Sequence, residues 1–377
     1  MSKRPKIVFF ITEDWYFVSH RLPIAIESIN KGFDVYLVTK KTSSKSKLIE
    51  NHGIKILNMN IERGKINPFS DAIVLIKLIF ILKKIKPDIL HTVAMKPILY
   101  GNIASLILRI PHTISSFAGL GYLFISNSIK AKFINYALKK FFKILLNRNS
   151  SSIIFQNKDD YNFMVDSNII KKNRAIIIRG SCVDERLFHF TKENNETNKI
   201  ILASRLLWDK GLKEFAKASE ILKKDKITNL RFILVGEIDS QNPAAVEKEE
   251  LLNWEKNNLI EWWGFRSDIN KIYKDSNIVC LPSYREGLPK SLIEAAASGR
   301  AIITTDVPGC REVVVDGYNG LLVPKKNAYL LAKAIKKLIK NDLLRNTMGE
   351  NSAKLFKKNF TVDINVSKHI DLYFSLL

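Results

Sequence analysis

The sequence contains little cysteine and no long apolar run, and each of these features excludes a class of protein. Its 377 residues include three cysteines, no two of which form a CxxC pair. This argues against a disulfide scaffold and a zinc ribbon, and favours a reducing, cytoplasmic compartment. The longest apolar stretch, residues 72–82, is interrupted by Lys77, whereas a membrane-spanning helix needs about 20 residues. The apolar start is followed by Glu13-Asp14, which predicts a buried strand and not a signal peptide.

Acidic residues are scarce relative to basic ones. The chain has 60 Lys and Arg against 37 Asp and Glu, a net charge of +23. The first 190 residues carry +17 of this charge and the remainder +6. Such asymmetry indicates that the first half meets nucleic acid, anionic lipid or a phosphorylated substrate, although an AT-rich genome would also raise the lysine content. Because no RRM, KH or zinc-finger pattern occurs, we do not expect a nucleic-acid partner.

Apolar β-branched segments alternate with helical patterns along both halves of the chain. This alternation predicts an α/β protein with two Rossmann-like, doubly wound domains. We expect an N-terminal domain at 1–183, a polar linker at 184–198, a C-terminal domain at 199–359, and a final helix at 360–377 that packs back towards the N-terminal domain. Ligands of such sheets bind at the carboxyl ends of the strands. Two such domains facing a central cleft would therefore suit a two-substrate transfer.

Residues 281–300, LPSYREGLPKSLIEAAASGR, combine two carboxylates with a helix start. Glu286 lies in a loop after a strand, and Glu294 follows eight residues later in a helix. Gly287 permits close approach of the backbone to a ligand, and Pro289 suits the first helical position, at an end that attracts anions. Carboxylates beside an anion site can accept hydrogen bonds from ribose and sugar hydroxyls. The alternative is a capped amphipathic helix with a solvated Glu294.

Two cations follow a strand in the same half of the chain. In ILASRLLWDKG, Arg205 and Lys210 precede Gly211. Two cations at the carboxyl end of a strand can bind a diphosphate, although an isolated pair is more commonly two surface charges. Gly236, in LVGE after another strand, provides a third loop that a ligand can approach closely.

These residues resemble the signature of glycosyltransferase family 4, whose members have the two-domain GT-B fold. The signature consists of Arg-x4-Lys, here Arg205 to Lys210, and of E-x7-E, here Glu286 to Glu294. The resemblance extends over essentially the whole chain and includes DVPGCREVVVDGYNGLLVP. The segments EDWYFVSHRLP and FAGLGYLF further resemble bacterial members that extend undecaprenyl-diphosphate-linked saccharides, such as N-acetylgalactosaminyltransferases.

The resemblance implies a hexosyltransferase that takes its donor from a UDP-sugar. The implied donor-binding residues are Arg205, Lys210, Gly236, Glu286, Gly287, Leu288, Pro289 and Glu294. Arg205 and Lys210 would neutralise the leaving diphosphate, Glu286 would contact the donor sugar, and Glu294 would bind the ribose. Arg205, Lys210 and Glu286 are accordingly the implied catalytic residues. The family retains anomeric configuration and generally needs no metal, and this chain has no DxD triplet to hold magnesium.

The resemblance also implies an acceptor, a polyprenyl-diphosphate-linked saccharide. Its implied binding residues are His20, Arg21, Lys96, Gly119 and Gly121. Many members carry a histidine at the end of the fifth strand, but TISSFAGLGYLF has none. His20 and His91 remain open as candidates for a catalytic histidine, and His20 suits a helix-start role equally well. Two other functions stay open: a non-catalytic, membrane-associated scaffold that binds nucleotide-sugar, and a UDP-sugar epimerase of GT-B fold.

A basic segment predicts contact with a membrane. Residues 128–148 contain six Lys or Arg and no acid, with Phe133, Ala137, Phe141 and Leu145 at helical spacing. Such a helix can lie on an anionic bilayer, although a core-packed helix with a solvated basic face has the same pattern. We expect a cytoplasmic protein, peripheral on the inner face of the cytoplasmic membrane.

Overall fold

The computed structural model forms two compact units. One comprises residues 1–182 and 363–377, and the other residues 183–362. The structure describes residues 4–42, 45–61, 67–120, 139–179, 181, 183–194, 198–227, 229–240 and 242–377. Gly121 and residues 128–138 of the predicted membrane helix lie outside this part of the chain. Among the described helices, none combines the length and the apolar character that crossing a bilayer requires.

The first unit contains a parallel sheet of seven strands in the order β3-β2-β1-β4-β5-β6-β7. The strands are β1 (Lys6–Glu13), β2 (Asp34–Lys40), β3 (Lys55–Asn58), β4 (Ile89–Val93), β5 (His112–Phe117), β6 (Ser151–Phe155) and β7 (Ala175–Ile177). The helices are α1 (Asp14–His20), α2 (Leu22–Asn30), α3 (Lys45–Asn51), α4 (Pro68–Ile85), α5 (Met95–Leu108), α6 (residues 139–146) and α7 (Lys158–Asp166), with α15 (Val362–Leu376) added from the end of the chain. Strands β1 and β4 are neighbours, so the direction of winding reverses between them.

Helix α6 is the described part of the predicted membrane helix. Phe141 and Leu145, which the sequence places at helical spacing, differ in exposure: Leu145 is buried and Phe141 is partly exposed. Phe142 and Leu146 also lie in the apolar core, where the rings of Phe142 and Phe117 meet edge to face at 6.1 Å. This part of the helix is therefore held in the domain by its apolar side.

The second unit contains a parallel sheet of six strands in the order β10-β9-β8-β11-β12-β13. The strands are β8 (Asn198–Ala203), β9 (Leu230–Val235), β10 (Glu261–Trp262), β11 (Ile278–Leu281), β12 (Ala301–Thr305) and β13 (Gly320–Val323). The helices are α8 (Leu212–Lys224), α9 (Lys248–Lys256), α10 (Ile269–Lys274), α11 (Lys290–Ala297), α12 (Cys310–Val313), α13 (Ala328–Ile339) and α14 (Asp342–Asn359). Apolar side chains from both faces of this sheet form one continuous core.

The segment predicted as a linker belongs largely to the second unit. Glu193 lies 2.8 Å from the Nε atom of Arg345, whose side chain is buried. Arg300, also buried, donates hydrogen bonds to the carbonyl and the hydroxyl of Thr191. Because a buried cation needs a partner, these contacts hold residues 191–193 against the domain. Residues 184–194 are therefore part of the domain's structure and not a free connection.

Candidate active site

The candidate site lies at the switch point of the second sheet. From β8 the chain continues to β9 on one side, and from β11 to β12 on the other. The loops that follow these two central strands diverge, which leaves a crevice at the carboxyl edge of the sheet. A 3-10 turn, Trp208–Lys210, follows β8, and the loop at 282–289 follows β11.

Close backbone contact holds these two loops together. The amide of Tyr284 donates a 2.8 Å hydrogen bond to the carbonyl of Asp209. Gly211 ends the 3-10 turn with φ +76°, and a Cβ atom there would lie 2.1 Å from the carbonyl oxygen of Pro282. Only glycine permits this approach, because its backbone tolerates positive φ and it carries no Cβ. The sequence thus places Lys210 directly beside the loop that carries Glu286.

Lys210 and Glu286 form an ion pair at the crevice. The Lys210 Nζ lies 2.5 Å from Glu286 Oε1, and the Ser283 hydroxyl donates to the same oxygen at 2.6 Å. The Lys210 and Glu286 side chains are 18% and 11% exposed. A carboxylate that accepts two such bonds is held in one orientation. The structure brings together the cation and the loop carboxylate that the sequence singled out.

The strand next to β11 supports the Glu286 loop from behind. Thr305 donates a hydrogen bond to the carbonyl of Ser283. Gly309 has φ +80°, and a Cβ there would lie 2.6 to 2.7 Å from the carbonyl oxygens of Gly287 and Glu286. Next to it, burial raises the pKa of the Cys310 thiol to about 12, and the Glu286 charge adds to this effect. The thiol is therefore neutral and belongs to the packing beneath the site.

Arg205 is paired with a residue that the sequence analysis missed. Its Nη1 lies 2.6 Å from Asp239 Oδ2, and the two side chains are 46% and 23% exposed. Asp239 follows β9, so its loop reaches the same edge of the sheet. Gly236 shapes this loop: it has φ +146°, and a Cβ there would lie 1.8 Å from the Ser204 carbonyl oxygen. Both predicted diphosphate-binding cations therefore have a carboxylate partner at this edge.

Glu294 lies on the first turns of α11, where it is mostly buried. The sequence predicts Pro289 at the first helical position, but Pro289 is the N-cap with extended backbone, and the helix begins one residue later at Lys290. Glu294 has 13% of its side chain exposed, with Lys290 Nζ at 3.9 Å. Burial raises the pKa of Glu294 to about 7, and the Lys290 charge opposes that shift. The alternative of a capped helix with a solvated Glu294 is therefore wrong. Leu288, just before the helix, is also buried.

The structure describes four of the predicted acceptor-binding residues, all in the first unit. His20 ends α1 and stacks on Tyr16 with 4.2 Å between ring centroids. Arg21 is fully buried and donates a 2.9 Å hydrogen bond to the His20 carbonyl, a placement that does not suit direct contact with an acceptor. Lys96 follows β4, with its Nζ 3.0 Å from Asp71 Oδ1. Gly119 follows β5 with φ +126°.

His91 lies in the interior of the first unit. Its Nδ1 is 2.7 Å from the Tyr373 hydroxyl on α15, and its Nε2 is 2.7 Å from the Ser116 hydroxyl. Burial keeps the pKa of His91 well below its usual value, and the charges of His369 and Arg21 act in the same direction. A neutral, enclosed imidazole that makes two hydrogen bonds anchors α15. Nothing in this setting favours His91 as a catalytic histidine.

Sequence profiles of two described families match most of the chain. "Glycosyl transferases group 1" matches residues 183–355. "Glycosyl transferase 4-like" matches residues 6–157. The two matches correspond to the second and the first unit.

Characterised relatives align over most of their length. A Campylobacter jejuni protein, N,N'-diacetylbacillosaminyl-diphospho-undecaprenol alpha-1,3-N-acetylgalactosaminyltransferase, is 29% identical over 89% of this chain and 89% of its own. The capsular polysaccharide biosynthesis glycosyltransferase CapM of Staphylococcus aureus is 27% identical over 96% and 95%. The Escherichia coli UDP-Gal:alpha-D-GlcNAc-diphosphoundecaprenol alpha-1,3-galactosyltransferase is 24% identical over 92% and 90%.

Solved structures with the same fold confirm the GT-B expectation. A glycosyltransferase from Rickettsia africae superimposes with a TM-score of 0.77 at 20% identity, covering 99% of each chain. Anabaena HepE, solved with UDP and glucose, gives a TM-score of 0.77 at 18% identity and covers 99% of this chain and all of its own. At 18–20% identity the likeness shows a shared fold and no more.

Proposed function

Because the chain belongs to the group 1 glycosyl transferase family and is a glycosyltransferase, we propose that it moves a hexose or N-acetylhexosamine from a UDP-sugar to a polyprenyl-diphosphate-linked saccharide. The product would be an intermediate of surface polysaccharide or glycan biosynthesis. The relatives from Campylobacter jejuni and Escherichia coli, both named for acceptors linked to undecaprenyl diphosphate, support this choice of acceptor. The observation that carries the donor side is the Lys210–Glu286 pair, held by Ser283 at the switch-point crevice.

The cations at the crevice would act on the leaving group. As the bond between the anomeric carbon and the diphosphate breaks, negative charge accumulates on the departing UDP. Lys210 and Arg205 would stabilise that charge more strongly in the transition state than in the bound donor, which is the condition for a rate gain. Both would have to exchange a carboxylate, Glu286 or Asp239, for the diphosphate. The two cations supply the charge that a metal would otherwise provide, so we propose a metal-independent reaction.

The carboxylates would position the donor. Glu286, fixed by Ser283, would accept a hydrogen bond from a hydroxyl of the donor sugar, and Glu294 would accept bonds from the ribose. A diphosphate oxygen that gains charge would take the proton of the acceptor hydroxyl on the face from which UDP leaves. Attack on that same face retains the anomeric configuration. We therefore propose a retaining reaction with no separate protein base.

The acceptor would place the enzyme at a membrane. A polyprenyl chain stays in the bilayer while its diphosphate-linked saccharide projects into water. A basic first unit would be attracted to both the diphosphate and the anionic headgroups around it. We propose a peripheral protein on the inner face of the cytoplasmic membrane.

A direct test supplies the purified protein with a panel of UDP-sugars and lipid-linked saccharides. The expected result is a gain in acceptor mass of one hexose or N-acetylhexosamine, with matching release of UDP and the donor's anomeric configuration in the product. Activity should persist in EDTA. The matched control is Lys210→Ala with the same substrates.

Other outcomes would contradict the proposal. Binding of UDP without turnover of any donor would indicate a nucleotide-sugar-binding scaffold. Conversion of one free UDP-sugar to another without acceptor would indicate an epimerase.

A further inference from the structure

Helix α4 carries apolar residues on two sides, and one of these sides is exposed. Its inner face packs into the core of the first unit through Val74, Leu78, Leu82 and Ile85. Its outer face carries Phe69, Ile73, Ile76 and Phe80, with exposures of 84%, 53%, 53% and 68%. Spacings of four, three and four residues align these side chains in one stripe along the helix.

A stripe of this kind requires an explanation. Single exposed apolar residues are common on protein surfaces, but contiguous ones mark a site of interaction. From Phe69 to Phe80 the helix rises about 16 Å, at 1.5 Å per residue. The helix that presents the stripe is firmly placed: the Asn67 side chain caps it by accepting from the amides of Phe69 and Ser70, and Asp71 pairs with Lys96. The exposed stripe is therefore a feature of an ordered helix and not of a frayed end.

Positive charge borders the stripe. Lys77 follows Ile73 by four residues, and Lys83 and Lys84 follow Phe80 by three and four. These lysines therefore lie on the same side of the helix as the apolar stripe. All three are exposed. The one acidic residue of α4 is Asp71, and it lies at the other end of the helix, paired with Lys96.

We propose that α4 docks on an anionic bilayer, with its apolar stripe in the interface and its lysines on the headgroups. An apolar face flanked by lysines is the pattern that lies in such an interface. A second copy of the chain is a poorer occupant, because a parallel pairing of stripes would set Lys77, Lys83 and Lys84 beside their own copies. The inference rests on the proposed function only in that a membrane-borne acceptor brings the enzyme to a bilayer. It locates the contact on α4, whereas the described part of α6 turns Phe142, Leu145 and Leu146 into the core.

The test is cosedimentation with phosphatidylglycerol and phosphatidylcholine vesicles. The variant Ile73→Ser/Ile76→Ser/Phe80→Ser should lose at least about tenfold in partitioning to both vesicles, because the apolar anchor is removed. The variant Lys77→Gln/Lys83→Gln should lose roughly fivefold per lysine on phosphatidylglycerol alone.

The matched control removes exposed apolar residues of the second unit. Tyr329 and Leu343 are 66% and 79% exposed, so Tyr329→Ser/Leu343→Ser tests whether any exposed apolar residue has the same effect. It should bind vesicles as the parent does. Unchanged circular dichroism and UDP affinity would show that the α4 variants are folded.

Three results would overturn the inference. One is equal vesicle binding by the parent and both α4 variants. Another is loss of binding only when Lys132, Lys139, Lys140 and Lys143 are changed to glutamine, which would assign the contact to residues 128–148. The third is light scattering that shows a parent dimer and a monomeric stripe variant, which would assign the stripe to a second copy. Turnover of a short-chain soluble acceptor is a separate measurement: if it fails in the parent while vesicle binding follows α4, the proposed function falls and the docking surface stands.

Discussion

The Arg205–Asp239 ion pair provides a sensitive test of the proposed donor site. If Arg205 binds the UDP diphosphate, it must first leave the Asp239 carboxylate, 2.6 Å away. The substitution Asp239→Asn keeps the shape of the side chain and removes the competing charge. We therefore expect a gain in UDP affinity from the loss of a charged residue, the opposite of what mutation of a binding residue produces.

The size of the gain follows from the exposure of the pair. Arg205 is 46% exposed and Asp239 23% exposed, so solvent screens their attraction. Pairs of this kind contribute about 0.2 to 1 kcal/mol, which corresponds to roughly 1.4- to fivefold in a dissociation constant. The Kd of UDP should therefore fall by about that factor. The gain should shrink as salt rises, because both competing attractions are screened.

Isothermal titration calorimetry with UDP at two salt concentrations measures the effect. The control is Asp225→Asn, which removes a partner of Lys336 at 2.6 Å in a pair that does not involve a donor-site residue. It should leave the Kd of UDP unchanged. Equal or weaker UDP binding by Asp239→Asn would refute the reasoning, because Arg205 would then bind no diphosphate or Asp239 would itself contact the nucleotide.

Three further outcomes are expected. Lys210→Ala should lower turnover by roughly 100- to 1000-fold, as loss of one contact to developing charge does. Arg205→Ala should also lower turnover, and the effects of the two substitutions should be less than additive in the double variant. A steady-state turnover of these variants within about threefold of the parent would contradict this. Gly236→Ala should abolish UDP binding, because its Cβ would lie inside the contact distance of a backbone carbonyl, while Gly264→Ala, also at positive φ but with open space around it, should retain binding in the same titration. Uridine, which lacks the titrating phosphates, should bind more tightly as pH rises through about 7, because the ionised Glu294 accepts hydrogen bonds from the ribose. Glu294→Gln should make uridine affinity independent of pH in this range. Parallel pH profiles for the parent and the variant would show that Glu294 does not bind the ribose.

The strands and the centre of the site were predictable for one physical reason. Strands buried on both faces, such as KIVFFI in β1 and AIITT in β12, are continuous apolar runs with little ambiguity. Once the strands alternate with helices, the carboxyl ends of β8 and β11 must meet at the switch point. The proximity of Lys210 and Glu286 follows from that rule.

What the sequence could not supply depends on loop conformation and long-range pairing. Asp239 and Ser283 lie in loops without periodic pattern, and their partners are set by how the glycine-rich turns fold. The polar stretch that suggested a linker contains Glu193, whose partner Arg345 lies 152 residues away in sequence. Local composition does not indicate such a pairing. A polar linker and a polar segment whose carboxylate pairs with a buried arginine therefore have the same sequence pattern.

Helix α15 makes the first domain a product of both ends of the chain. Its Tyr373 is buried, contacts the ring of Phe33 and bonds to His91 on β4. On a ribosome, the sheet of that domain emerges first, and then the whole second domain is made before α15 appears. The second domain can thus finish folding before the first, in which His91 lacks its Tyr373 partner until α15 is made. Loss of α15 would therefore damage the first domain and not the second domain, which precedes the helix in sequence.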